Sequence, residues 1–321
     1  MLRFLIRRIL TGVLVMWLIS IVVFVIFFIA PPNVAYLLLG KFQASNQALV
    51  AQVTAQLGLN KSIPVQYWDF LVRLMHGDLG YSYYSHEAVT TLIGRALPVT
   101  ASLAIGASLI WVISGVLVGV MSATHPRSIR DRIATFFALT GLSFPTFVLG
   151  LILLYFAFYK LHLAGITWFP GGGYIPLTQD PGQWFMHLLL PWITLAVASM
   201  AVYVRLTRGQ MLEVLGEDYI RTARSKGLSE RRVTFRHALR AALVPIVTQF
   251  GIDVATLLGG AIVTEQVFGL NGLGRLSVTS VVNQDEPVII AIVLLAAIFV
   301  VLANIAVDIL YAVLDPRVRL S

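Results

Sequence analysis

Residues 217–245 read EDYIRTARSKGLSERRVTFRHALRAALVP, and the character of this stretch decides what kind of protein the chain forms. Arg221, Arg224, Lys226, Arg231, Arg232, Arg236 and Arg240 keep it out of a bilayer. At about 2.5–3.5 kcal/mol for each charge near mid-membrane, their burial would cost roughly 20 kcal/mol. Apolar residues still recur through and around it: Leu212, Leu215, Tyr219 and Ile220 before Gly227, then Leu228, Val233 and Leu239 after it. That patterning predicts an ordered, basic, helical elbow, with Gly227 free to take φ > 0 at a sharp turn. Such an elbow between two membrane spans offers a surface to a cytosolic partner. The competing reading is a solvated loop whose charge serves only to set topology.

Outward from the elbow, the chain is intensely apolar. Of its 321 residues 58% are apolar and 12% charged, and the mean hydropathy is +0.85. Soluble domains carry about 45–50% apolar and 25% charged residues, so this composition is that of a membrane protein. The net charge of +8 does not read as a nucleic-acid footprint, because the basic residues sit at the ends of apolar runs. With no cysteine there is no disulfide framework, thiolate metal site or cysteine nucleophile.

Six apolar runs, near 9–30, 100–123, 133–159, 186–206, 242–264 and 288–312, are long enough to cross hydrocarbon about 30 Å thick as helices. Arg3, Arg7 and Arg8 precede the first run, as in a signal peptide. Its length and the Ala30-Pro31-Pro32 boundary predict a retained helix instead. Of the 23 Lys and Arg, six (Lys41, Lys61, Arg73, Arg95, Lys160 and Arg275) fall on one side of the predicted topology and the rest on the other. Both termini and the elbow are therefore expected in the cytoplasm. The expected fold is an all-α polytopic membrane protein with three parts: an N-terminal span over 1–30, an external helical insert over 31–99, and a five-helix core over 100–321 carrying the elbow at 207–241. Within the insert, 44–57 and 65–75 read as amphipathic helices interrupted by Gly58, Pro64 and Gly77.

Gly251, Ala255 and Gly259 place small residues on one face of the fifth span, where another helix can approach closely. Two neighbours fit that face: another span of this chain, or a second subunit. Asp253, near the middle of the same span, is either a polar lining of a pathway or a hydrogen-bonded structural carboxylate. Pro145 and Pro191 are expected to kink or open their helices. The histidines, at 76, 86, 125, 162, 187 and 237, form no ligand pair by spacing, so no metal site is expected. No Gly-x-x-x-x-Gly-Lys-Ser/Thr loop is present, so this chain is not expected to be an ATPase.

Around Gly227 the chain resembles the membrane-spanning permeases of binding-protein-dependent ABC importers. Their signature is Glu-Ala-Ala, three residues, Gly, then a downstream Leu-Pro. Arg221-Thr222-Ala223 stand at the first three positions and Val244-Pro245 at the last, displaced by five residues. Both departures are those of the dipeptide and oligopeptide branch. Further agreement lies in Leu57-Gly58-Leu59, Gly77-Asp78-Leu79-Gly80, Ser143-Phe144-Pro145-Thr146-Phe147, Glu265-Gln266-Val267-Phe268-Gly269, Gly272-Leu273-Gly274-Arg275 and Leu314-Asp315-Pro316-Arg317. Asn271 stands where Pro is commoner.

The resemblance implies a multi-pass subunit of the bacterial cytoplasmic membrane that moves di- or oligopeptides by alternating access. It implies as partners a second homologous permease, two cytosolic ATPase domains that bind ATP-Mg, an external solute-binding protein and membrane lipid. The elbow would dock on the ATPase through Asp218, Tyr219, Arg221, Thr222, Ala223, Lys226, Gly227, Leu228 and Arg231, as two short helices lying along the membrane, with Val233 and Leu239 supplying apolar contact. Nickel, glutathione or another small solute is the alternative cargo. A gradient-driven secondary transporter is the alternative class, and it would need more intramembrane ionisable groups than Asp253.

Overall fold

Hydrocarbon offers the backbone no hydrogen-bond partner, so long apolar runs in a bilayer close their own bonds as helices. The computed structural model describes residues 2–29, 35, 39, 45–56, 58, 60–82, 84–258 and 261–314. Among them, six helices are long and apolar enough to cross a membrane: Ile6–Ile29, Val89–Thr124, Thr146–Leu163, Pro181–Leu215, Glu230–Leu258 and Glu286–Leu310.

In chain order, α1 (Leu2–Phe24) runs on through a π turn at Val25–Ile29. The insert contributes α2 (Gln47–Gln56) and α3 (Ile63–Met75), followed by a small antiparallel hairpin of β1 (Tyr81–Ser82) and β2 (Glu87–Ala88). Then come α4 (Val89–Thr124), α5 (Ile129–Ser143), α6 (Thr146–Leu163) and α7 (Pro181–Leu215). The elbow helix α8 (Asp218–Ser225) leads to α9 (Glu230–Leu258). The short α10 (Ile262–Val267) and α11 (Leu273–Asn283) precede α12 (Glu286–Leu314).

Several expected boundaries move. The third run does not span as one helix. Phe144 is extended and Pro145 caps α6, because the residue before proline is pushed out of the helical region. Pro191, in contrast, lies inside an unbroken α7. Residues 207–215, expected in the elbow, continue α7. The fifth helix stops at Leu258, short of the expected 264, and Ile262–Val267 form a separate turn of helix. Gly259 lies outside the described residues, as do Leu57 and Leu59 of one motif and Asp315-Pro316-Arg317 of another.

Contacts divide the chain into two units: Met1–Ala101, Ala255–Ile262 and Asn271–Ile305 form one; Ser102–Val254, Val263–Leu270 and Ala306–Ser321 the other. In the first, Phe24 and Phe28 of α1 stack at 5.2 Å and meet Tyr67 and Phe70 of α3. Ser20 and Tyr67 share a hydrogen bond of 2.9 Å.

In the second unit, α4 and α7 pack with almost no side chain between them. A Cβ at Gly115 would lie 2.5 Å from that of Tyr203, and one at Gly119 2.6 Å from that of Thr207. This i, i+4 glycine pair is a small-residue seam between helices of one chain. On α5, Gly141 approaches the Val197 carbonyl of α7 in the same way.

Candidate coupling elbow

The elbow begins where α7 ends. Gly216 closes α7, and Glu217, in extended conformation, leads into α8 with Asp218 in its first turn and Arg224 in its last. Both charges suit the helix dipole. At the other end Gly227 adopts φ +76°. Its N–H donates to the Arg224 carbonyl at 2.9 Å, and the Leu228 N–H donates to the Ala223 carbonyl at 3.4 Å. That pair of bonds is a Schellman cap, which needs a left-handed residue where Gly227 stands. Across the turn, Arg224 Nε donates to Glu230 Oε1 at 2.9 Å.

The apolar residues of the elbow face this chain. Ile220 and Ala223 of α8 and Val233, Ala238 and Ala242 of α9 share one buried cluster with Val120 and Ala123 of α4 and Met211 of α7. Leu212, Leu215, Leu228 and Leu239 pack against it. The expectation that Val233 and Leu239 would meet an outside partner is thereby corrected, since Val233 is fully buried and both belong to this core. Ala223 likewise points inward. The core clamps the turn onto the ends of α4 and α7, so the elbow is no free loop.

The outer face carries Asp218, Tyr219, Arg221, Thr222, Lys226, Gly227 and Arg231, all exposed, with Leu228 half-buried. Sequence reading missed Phe235, which is 49% exposed; Tyr219 is 47% exposed. Partial burial and the Glu217 carboxylate push the Tyr219 phenol upward, so it stays a neutral hydrogen-bonding group. The second half of the elbow is not a separate helix, as the resemblance implied. It runs through a π turn at Val233–Ala238 straight into the fifth span. A groove of about 700 Å³ lies between the elbow and the ends of α4 and α7, with Leu117, Met121, His125, Arg231 and Phe235 among its walls.

Beside the elbow sits a cluster that no sequence signal singled out. Asp131, in the first turn of α5, is buried. Its carboxylate accepts from Arg208 of α7 twice, from Nε at 2.8 Å and Nη2 at 3.0 Å. It also accepts from the Ser122 hydroxyl at 2.5 Å and the Arg127 N–H at 2.9 Å. The Arg208 guanidinium, then Ser122, holds the carboxyl well below the usual carboxylate range. Ser128 caps α5 by accepting from the Asp131 N–H at 3.2 Å, so Ser128-x-x-Asp131 is a helix-start pattern legible in the sequence. The pairing with Arg208 is not.

Asp253 lies on α9, the fifth span. Tyr203 Oη donates to its Oδ2 at 2.8 Å and Gln249 Nε2 to its Oδ1 at 2.8 Å, so both oxygens are engaged within the unit. Tyr203 itself is fully buried, its ring 6.3 Å from that of Trp111. On the small-residue face of α9, Gly251 and Ala255 are both buried.

Comparison with known proteins matches this architecture along the whole chain. Residues 115–320 fit the model of the binding-protein-dependent transport system inner membrane component, and residues 1–104 fit that of the N-terminal membrane component of the same systems. The chain belongs to this permease family.

The permease is 37% identical over 316 residues to a probable peptide ABC transporter permease of Sinorhizobium fredii, covering 98% of this chain and 99% of that one. It is 39% identical over 320 residues to a glutathione transport system permease of Pectobacterium atrosepticum, covering 99% of each. The fold is also similar to the MetNI methionine ABC transporter in its inward-facing form, with TM-score 0.54, 20% identity, and 70% of this chain and 97% of that one covered. The permease is thus a multi-pass protein of the bacterial plasma membrane, a subunit of an ABC importer. Family membership brings an ATPase and a solute-binding protein as partners.

Proposed function

We propose that the permease forms half of an importer for short peptides, pairing with a second permease and two cytosolic ATPase domains. Its termini and elbow lie in the cytoplasm, and the 31–99 insert faces outside. The observation that carries this reading is the two-faced elbow: an apolar side built into the ends of α4 and α7, and an outer side of basic residues with exposed Tyr219 and Phe235. A loop that only set topology would need neither the Schellman turn nor the buried core. Docking of the ATPase on the outer face turns its closure into movement of both helices. In alternating access the two permeases then expose the pathway to one side of the membrane at a time.

Peptide cargo is favoured by the Sinorhizobium relative. Glutathione is the second reading, favoured by the Pectobacterium relative. Both are short amide-linked chains, and a single uptake experiment separates them. Cells with and without this permease are offered a labelled dipeptide, a labelled pentapeptide and labelled glutathione. Loss of dipeptide or pentapeptide uptake on deletion is expected; loss of glutathione uptake alone would transfer the assignment. A gradient-driven carrier working alone is excluded if the permease, isolated from its native membrane, brings an ATPase with it.

A further inference from the structure

Asp131 joins three helices at one point. Its own backbone starts α5, Ser122 belongs to the end of α4, and Arg208 lies on α7 two turns before the elbow. The elbow core already ties α4 to α7 through Val120, Ala123 and Met211, and the Gly115–Gly119 seam closes the same two helices further along. Nothing in that core includes α5. Further along, α5 packs on α7 through Ala138, Ala201 and Val204 and at Gly141. At the elbow end, the link from α7 to the start of α5 is polar and runs through one carboxylate that accepts four hydrogen bonds.

The turn it holds is strained. Arg127 has φ +64°, a left-handed conformation that costs a non-glycine residue and persists only where its surroundings impose it. The Arg127 N–H is held by Asp131 Oδ2. A buried ion pair is weak evidence of stabilisation, since apolar residues of similar volume often do as well or better. What the fork of Arg208 adds is fixed geometry, two parallel bonds that resist sliding and rotation.

We infer that Asp131 and Arg208 form a transmission strut that makes the start of α5 move as one body with the elbow end of α7. This rests on the elbow docking an ATPase. The two residues are positioning residues: the carboxylate is buried and acts through the helices it joins. In the working importer, force delivered at the elbow reaches the start of α5 through this pair. Without it, the elbow moves while the first turn of α5 lags.

The absence of native cysteine makes the test clean. Spin labels are placed at Glu217→Cys, on the elbow, and Arg132→Cys, on α5, both exposed positions. The complete complex is reconstituted in liposomes with its ATPase, and the label-to-label distance is measured with and without ATP and Mg²⁺. With the strut intact, one narrow distance is expected in both states. With Asp131→Asn or Arg208→Lys, the ATPase stays bound and hydrolyses ATP, but the distance broadens or shifts when ATP is added. Solute moved per ATP, read with the labelled peptide or glutathione that the uptake assay selects, falls about tenfold, within the usual range for coupling between sites.

Arg208→Lys keeps the charge but not the fork, and it decides the matter if Asp131→Asn fails to assemble. Three results overturn the inference. The first is a narrow distance kept in both states by the variants, the second a distance that changes with ATP when the strut is intact, and the third a failure of both variants to assemble, which assigns the pair to folding. A complex without bound ATPase before any strut substitution would instead sink the docking reading.

Discussion

The permease buries two aspartates to nearly the same extent and treats them in opposite ways. Asp131, beside the elbow, is 5% exposed and Asp285, just before α12, is 4% exposed. Asp131 receives four hydrogen bonds, two from a guanidinium, and its carboxyl is held low. Asp285 receives one side-chain bond, from Ser82 of the β1–β2 hairpin at 2.5 Å. Its Oδ1 has no partner among the described residues, and its neighbour in sequence is Glu286. Burial pushes the Asp285 carboxyl up, only partly offset by Ser82. Burial alone therefore decides neither charge nor role; the donors do. The donors around Asp131 favour its anion, fit to hold helices together. Burial favours the neutral form of Asp285.

The largest effect that would break this contrast is expected at Asp131. Replacing it by Ala strands a guanidinium. Arg208 is one-third exposed, at 33%, which puts the loss at the low end for a broken buried pair, about 3 kcal/mol. Denaturant unfolding of the solubilised permease measures it, and a loss near zero would place Asp131 among decorative surface charges.

Next in size is Gly119→Val, whose Cβ would sit 2.6 Å from that of Thr207. Overpacking there should cost about 1–3 kcal/mol. If the unfolding midpoint is unmoved, the α4–α7 seam is looser than its geometry implies, and the strut has a compliant body to act on. Gly227→Val forces a β-branched residue into φ +76° at roughly 1–2 kcal/mol. Membrane insertion should survive while ATPase retention and uptake are lost; normal uptake would detach the elbow from coupling.

The smallest effect sharpens the comparison most. Asp131 has a depressed folded value, so its contribution is present above the ordinary carboxylate range and disappears as pH falls through the lower folded value. Asp285 has a raised folded value, so the hairpin clasp contributes fully at acid pH and loses that contribution as pH rises through the raised value. Asp285→Asn should flatten the second dependence and gain roughly 0.5–1 kcal/mol at mildly alkaline pH. Unfolding curves of both proteins across the pH range supply the difference. A variant whose difference from the native permease does not vary with pH would show that Asp285 is not charged differently in the two states.

Much of the architecture could be read in advance. The spans followed from hydropathy because lipid leaves long apolar runs one backbone solution. The turn at Gly227 followed from a glycine between two amphipathic stretches. Pro145 and Pro191 are the instructive pair: one ended a helix and the other sits within one, although both lie in apolar runs. The face of α9 carries a signal with a similar limit. Small residues at Gly251 and Ala255 announce a close neighbour but not which one. The seam that α4 and α7 do share, at Gly115 and Gly119, was written in the same four-residue spacing and passed unnoticed.

By itself the sequence determined that this is a membrane-spanning permease with a basic, helical elbow turning at Gly227, because hydropathy, charge and glycine act over neighbouring residues. Only the tertiary structure decided which elbow residues face inward, and that Asp131 meets Arg208 and Asp253 meets Tyr203. Those pairs lie 77 and 50 residues apart. Hydrogen-bond partners at such separations are chosen by how helices pack, and no local pattern encodes that choice.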